Sequence, residues 1–255
     1  MLLQTAFMID NRLISLRKKV RENRKFIIDS ILNNHKANIC AFCGSEDNLT
    51  KEHVLPKWAF GNCEKKYFET KINKLNQRYS QTTIPACFDC NSFILGYFEC
   101  YIEKEFNDTS LYIDYFTDET IEKIIIWLEL IDYKFQILNL RRKFIKIKDR
   151  DFIPYLANFP LSIIQADEST SPSKVFSNVR NALKKLSIKS KQRKINSLVI
   201  FKTSNESFHF FNKMNEFIFI ELPKHNLALF YFYEKEFNSS KESFDHAIEI
   251  IKKVY

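Results

Sequence analysis

The chain has 255 residues, 45% of them hydrophobic and 15% aromatic, with only 3 glycines and 6 prolines. That length and composition support one large domain or two small ones with a substantial core, and they exclude a disordered or fibrous chain. A formal charge of +8 favours polyanionic partners, nucleic acid first, through phosphate neutralisation and counterion release, and no run approaches the roughly 20 apolar residues of a membrane span.

The start, MLLQTAFMIDNRLISLRKK, puts its apolar part before its basic part and carries no small-residue cleavage site. It does not read as a secretory signal, so the expected compartment is the cytoplasm. From Asp10 to Asn34, apolar Leu13, Leu16, Val20, Ile27, Ile28 and Ile31 recur at helical spacing. Arg12, Arg17, Lys18, Arg21, Arg24 and Lys25 occupy the other face. Residues 1–37 are therefore expected to form a basic amphipathic helix.

Residues 38–110 hold the cysteine-bearing region. A strand is expected over Leu49–Leu55, closed by Pro56, which cannot donate to a ladder. A polar loop follows, then a second strand near YSQTTIP, and NSFILGYFECYIEKEF reads as a helix. The expected order is knuckle, strand, long loop, strand, knuckle, helix.

Residues 111–255 read as a separate α+β unit. TDETIEKIIIWLELIDYKF suits a largely buried helix with Thr117 and Thr120 as cap candidates. The basic run RRKFIKIKDR suits a half-exposed strand or a phosphate-facing edge, and KVFSNVRNALKKLSIKSKQRK a basic helix. NSLVIFKT, SFHFFNK, EFIFIEL and LALFYFYEKEF are β-branched and aromatic runs separated by turn residues, so consecutive antiparallel strands are expected. The segment SKESFDHAIEIIKKVY closes the chain as a helix.

Cys40-x-x-Cys43 and Cys87-x-x-Cys90 supply four soft thiolates in two tight pairs. In a reducing compartment such pairs are metal ligands rather than disulfides, and a tetrahedral zinc ion takes four thiolates at about 2.3 Å. The intervening residues 44–86 are longer than in compact zinc modules, so a hairpin must bring the pairs together. Four thiolates close the coordination sphere, which makes the expected zinc structural. Cys63 and Cys100 are surplus and are expected to be small buried hydrophobes. His35, His209, His225 and His246 have no acid or cysteine at ligand spacing and receive no role.

With these motifs in place, CAFCGSEDNLTKEHVLP…CFDCN resembles the HNH endonuclease family, in its variant with two C-x-x-C zinc knuckles and Asn in place of the last His. The resemblance covers roughly Ile39 to Phe106, and EHVLPKW followed by CN and Glu99 is similar to one bacterial subgroup. It implies a zinc-stabilised ββα-metal (His-Me finger) domain between the basic helix and the α+β domain. It further implies a metal-dependent hydrolysis of phosphodiester bonds in double-stranded DNA, rather than RNA. Carried over, His53 is the general base on a water, while Glu52 and Asn91 hold a catalytic divalent cation, Mg²⁺ or Mn²⁺. A neutral imidazole suits the base near pH 7, and hard oxygen ligands suit the cation. An effector of a bacterial anti-phage or mobile-element system, acting with a partner protein such as an ATPase, is the setting the resemblance implies.

Asn91 also stands where a helix should begin, so a plain N-cap is the alternative role for it. The family's middle asparagine is absent, and Thr82 holds that place. That departure favours a second reading: a zinc-stabilised nucleic-acid-binding or adaptor protein whose nuclease site has decayed.

Overall fold

A computed structural model describes residues 38–63, 67–70, 75–109, 118–142, 195–213, 216–233, 235 and 237–254. The expected helix over 10–34, the loop residues Lys65 and Lys66, nearly all of the 141–150 basic run and the basic segment 174–194 lie outside them. The fold is mixed α+β with antiparallel sheets. Two compact units divide it: one holds the described parts of 38–54, 83–101 and 133–142, the other those of 55–82, 102–132 and 195–254.

In the first unit, β1 (Leu49–His53) pairs antiparallel with β4 (Thr83–Cys87), Leu49 opposite Cys87 and His53 opposite Thr83. β1 stops at His53, two residues before the expected end, and Val54 and Leu55 continue as buried non-strand residues. The ladder extends into the knuckles, because Ala41 N–H donates to the Pro85 carbonyl at 2.9 Å and Phe88 N–H to the Asn48 carbonyl at 3.0 Å. Proline is tolerated at the centre of β4 because its missing donor would face away from β1, the side on which its carbonyl meets Ala41.

A π-helical turn, Cys90–Leu95, leads into α1 (Gly96–Thr109). Gly96 N–H donates to the Asn91 carbonyl five residues back, and a Cβ at Gly96 would lie 3.2 Å from that oxygen. Absence of a side chain at 96 thus permits the wide turn, a form that favours functional sites. α2 (Asp118–Arg141) runs six residues past its expected end at Phe135, and its C-terminal part belongs to the first unit. There Tyr133 donates its hydroxyl to the Ala41 carbonyl at 2.7 Å, and its ring lies 5.6 Å from that of Phe42.

The second unit begins with a 3-10 turn, Lys57–Phe60, followed by the hairpin β2 (Tyr67–Thr70) and β3 (Leu75–Arg78) where the sequence suggested only a polar loop. YSQ, expected to open the second strand, is instead a 3-10 turn. Thr82 closes it, donating its N–H to the Tyr79 carbonyl at 3.0 Å and its hydroxyl to the Arg78 carbonyl at 2.8 Å. Such local side-chain-to-backbone bonds compete with a sheet ladder, which explains the later start of β4.

The four expected C-terminal strands are present: β5 (Leu198–Lys202), β6 (Phe210–Lys213), β7 (Phe217–Leu222) and β8 (Leu227–Phe232). They form one antiparallel sheet in the order β5-β8-β7-β6. Every residue of the central strands β7 and β8 is buried, as two covered faces require. One face gathers Val199, Phe211, Phe217, Phe219, Phe230 and Phe232 with Phe237, Ala247 and Ile250, the last two from α3 (Ser240–Val254). On the other, Tyr231 donates to a carboxylate oxygen of Glu129 at 2.8 Å. His225, 2% exposed, sits between the rings of Phe106 at 5.6 Å and Trp58 at 6.1 Å.

Candidate functional site

The two knuckles are built by local chain chemistry. Gly44, at φ 74, allows its N–H to turn back to the Cys40 carbonyl at 2.9 Å, and the N–H groups of Phe42 and Cys43 point at Cys40 Sγ at 3.4 Å. Cys90 N–H approaches Cys87 Sγ at 3.5 Å in the same manner. Because Leu49 and Cys87 are partners across β1 and β4, the strand pair brings the distant C-x-x-C motifs together.

All four Sγ atoms lie within 4.8 Å of one another and all four residues are buried. Sulfurs placed about 2.3 Å from a tetrahedral ion stand about 3.8 Å apart, so the cluster fits such an ion. The Cys43 and Cys87 sulfurs lie 3.5 Å apart, well beyond a disulfide bond of about 2.05 Å. The four cysteines can hold a metal ion such as zinc. Contacts with Cys40, Cys43 and Cys90 pull the Cys87 thiol far below its ordinary range, whereas contact with Cys40 first of all pushes Cys43 and Cys90 up. Sulfurs this close cannot all ionise unless a cation sits among them.

Among the described residues, this is the one group of three or more His, Cys, Asp or Glu side chains gathered at metal-holding distances. Cys63 and Cys100 stand apart from it, and neither is the buried hydrophobe expected. Cys100 is exposed, and half-buried Cys63 donates its thiol to the Glu206 carbonyl at 3.3 Å.

β1 also carries the acid–imidazole pair. Alternation along a strand puts Thr50 and Glu52 on one face, Lys51 and His53 on the other. Glu52 is 6% exposed, and Lys51 is exposed. Glu52 forms an ion pair with Lys134 of α2, whose ammonium also donates to Glu99 at 2.7 Å and to the His53 carbonyl at 3.3 Å. Lys134 is fully buried. Burial works against its charge, but Glu52 and Glu99 outweigh that and hold the ammonium above the ordinary lysine range. Burial pushes Glu99 up, the ammonium opposes this, and the nearby Glu52 charge adds to the push. Burial also lowers His53, with Glu52 opposing and Lys134 lowering it further, which favours the neutral imidazole.

Asn91 lies inside the π turn rather than at its cap; Asp89 precedes the turn, and its side chain makes no capping bond. The Asn91 amide nitrogen instead donates to Thr50 Oγ1 at 2.8 Å, and Thr50 donates in turn to the Ala86 carbonyl at 2.8 Å. Asn91 is thereby tied to the face of β1 that bears Glu52. For a divalent cation between Glu52 and Asn91, this arrangement is a poor fit because Glu52 is already committed to an ammonium, although the bond to Thr50 does not use the Asn91 amide oxygen. Thr82 spends its hydroxyl on Arg78.

Two groups escaped the sequence reading. Lys134 lies in an apolar helical run where a buried cation leaves no signature, and its partners are 82 and 35 residues away. His209, given no role, pairs through Nδ1 with Glu221 at 2.7 Å, a partner that only the β6–β7 hairpin brings near. No protein-family model, curated protein or solved structure matches this chain.

Proposed function

We propose that the chain is an HNH-type endonuclease that hydrolyses phosphodiester bonds of nucleic acid, DNA rather than RNA, with zinc in the four-cysteine cluster as a structural ion. The observation that carries this reading is the tie between Asn91 and Thr50, which sets the start of the helix against the strand bearing Glu52 and His53. Strand, returning strand and helix, clamped by two thiol pairs, are the parts the resemblance requires. His53 is the general base: a neutral imidazole near pH 7 accepts a proton from the attacking water. Exposed Lys51 shares its face of β1 and can meet a phosphate. The resemblance assigns the cation facing the departing oxygen to Mg²⁺ or Mn²⁺.

A plasmid-nicking assay with each of these cations tests the reading. Wild-type cleavage is expected to disappear with EDTA and in His53→Ala; equal cutting by His53→Ala would overturn the assignment. A second reading, a decayed site on a nucleic-acid-binding or adaptor protein, is favoured by Lys134 neutralising Glu52 and by Thr82 being spent on a turn. Tight DNA binding without cutting under any of these conditions would establish it.

A further inference from the structure

The resemblance makes Glu52 a ligand of the catalytic cation, yet its carboxylate meets a cation that belongs to the chain itself. We propose that Lys134 is the resident cation at Glu52, and that Glu52, Glu99 and Lys134 together position the end of β1 instead of binding a divalent metal ion. The inference rests on the nuclease reading for the role of His53, and departs from it on the role of Glu52.

Three observations converge on this assignment. Lys134 is fully buried, and its ammonium meets Glu52, Glu99 and the His53 carbonyl. A buried charge is tolerated only when paired and hydrogen-bonded in this way. The ammonium reaches the backbone of His53 itself, so it fixes the strand end where the imidazole is carried. Finally, two carboxylates facing one ammonium leave a single net negative charge. A divalent ion entering between them would have to displace or closely face a cation, at a cost that rises steeply in a low-dielectric interior. The divalent ion of the cleavage reaction is therefore held by groups other than Glu52.

Two carboxylates released from their ammonium, by contrast, make a hard-oxygen site of the kind that Mn²⁺ accepts. This yields a readout that a merely structural lysine would not produce. Mn²⁺ binding to the full-length, zinc-loaded protein is followed by the loss of the free-ion electron paramagnetic resonance signal. Glu52→Gln is expected to leave the wild-type Mn²⁺ affinity within about threefold, whereas loss of a direct ligand costs at least the roughly tenfold seen for lesser perturbations around metal sites. Lys134→Met is expected to bind one additional Mn²⁺ equivalent, which the double variant Glu52→Gln/Lys134→Met loses.

A tenfold or greater weakening in Glu52→Gln alone would overturn the proposal, and so would Lys134→Met binding no additional ion while folded. Should Lys134→Met fail to fold, Glu52→Gln by itself decides the matter. Plasmid cleavage is followed in parallel. Absence of cutting by the wild-type protein defeats the nuclease reading while leaving the Mn²⁺ result on Glu52 standing.

Discussion

Near the four cysteines, polar groups are gathered in the interior: the thiols, the Glu52 and Glu99 carboxylates facing the Lys134 ammonium, and the Tyr133 hydroxyl on the Ala41 carbonyl. The sheet β5–β8 buries ring upon ring instead: Phe211 stacks on Phe219 at 4.6 Å, and Phe230 lies 4.7 Å from Phe232. A polar interior is stable only while every member keeps its partner, because one deletion leaves the others desolvated and unpaired. An aromatic interior loses stability in proportion to the volume removed and the collapse that follows. The cysteine cluster and the Glu52–Lys134–Glu99 group therefore rest on a few indispensable interactions, the aromatic face of β5–β8 on many interchangeable ones.

Cys87→Ser should break this contrast most visibly. Structural zinc binding is folding free energy, about 10–16 kcal/mol in small zinc peptides. The variant is expected to lose its metal and the hydrogen-exchange protection of β1 and β4, while β5–β8 stays protected. Unchanged metal content and protection would refute the four-thiolate site.

Phe230→Ala makes the converse cut. It is expected to destabilise the sheet by about 3–5 kcal/mol, the range for emptying a buried phenylalanine site. Denaturant titration should show the loss, with bound metal unaffected; a matching loss of metal would mean that the two interiors are not independent.

The smallest effect sharpens the comparison within the second unit, where His225 is one of several buried polar side chains. Burial holds its imidazole down to about 4, with the Lys224 charge lowering it further, and its Nε2 has no hydrogen-bond partner among the described residues. The unfolded imidazole titrates near 6.5, so the fold favours the neutral form. Its stabilising contribution is complete above pH 6.5 and is lost as pH falls toward 4, on the order of 3 kcal/mol in all. Urea midpoints measured across that window should decline in the wild type and flatten in His225→Phe. Parallel declines would place the titrating group elsewhere.

Periodicity made the aromatic unit readable in advance. Runs such as EFIFIEL and LALFYFY announce strands because β-branched and aromatic side chains fill pleated, covered surfaces, and the pairing of β6 with β7 and of β7 with β8 follows from short turns, whereas β5 passes over β6 to pair with β8. The cysteine pairs were equally legible, since C-x-x-C spacing is itself the local geometry of a knuckle. What stayed hidden depends on contacts between distant residues. The β2–β3 hairpin lay in a polar stretch without alternation, and the start of β4 was displaced by the hydroxyl of Thr82. Lys134 is the clearest case: in a mainly apolar run that also holds Glu129 and Asp132, nothing local marks the lysine until two carboxylates from elsewhere in the chain close around it.

Pro85 has one more consequence. On the side of β4 away from β1, residue 85 has no N–H, and its carbonyl is already taken by Ala41. An approaching strand, whether from this chain or another copy, finds neither donor nor acceptor at the middle of that border. That edge of the ribbon is thereby poorly suited to edge-to-edge association, a hazard that exposed strands otherwise carry.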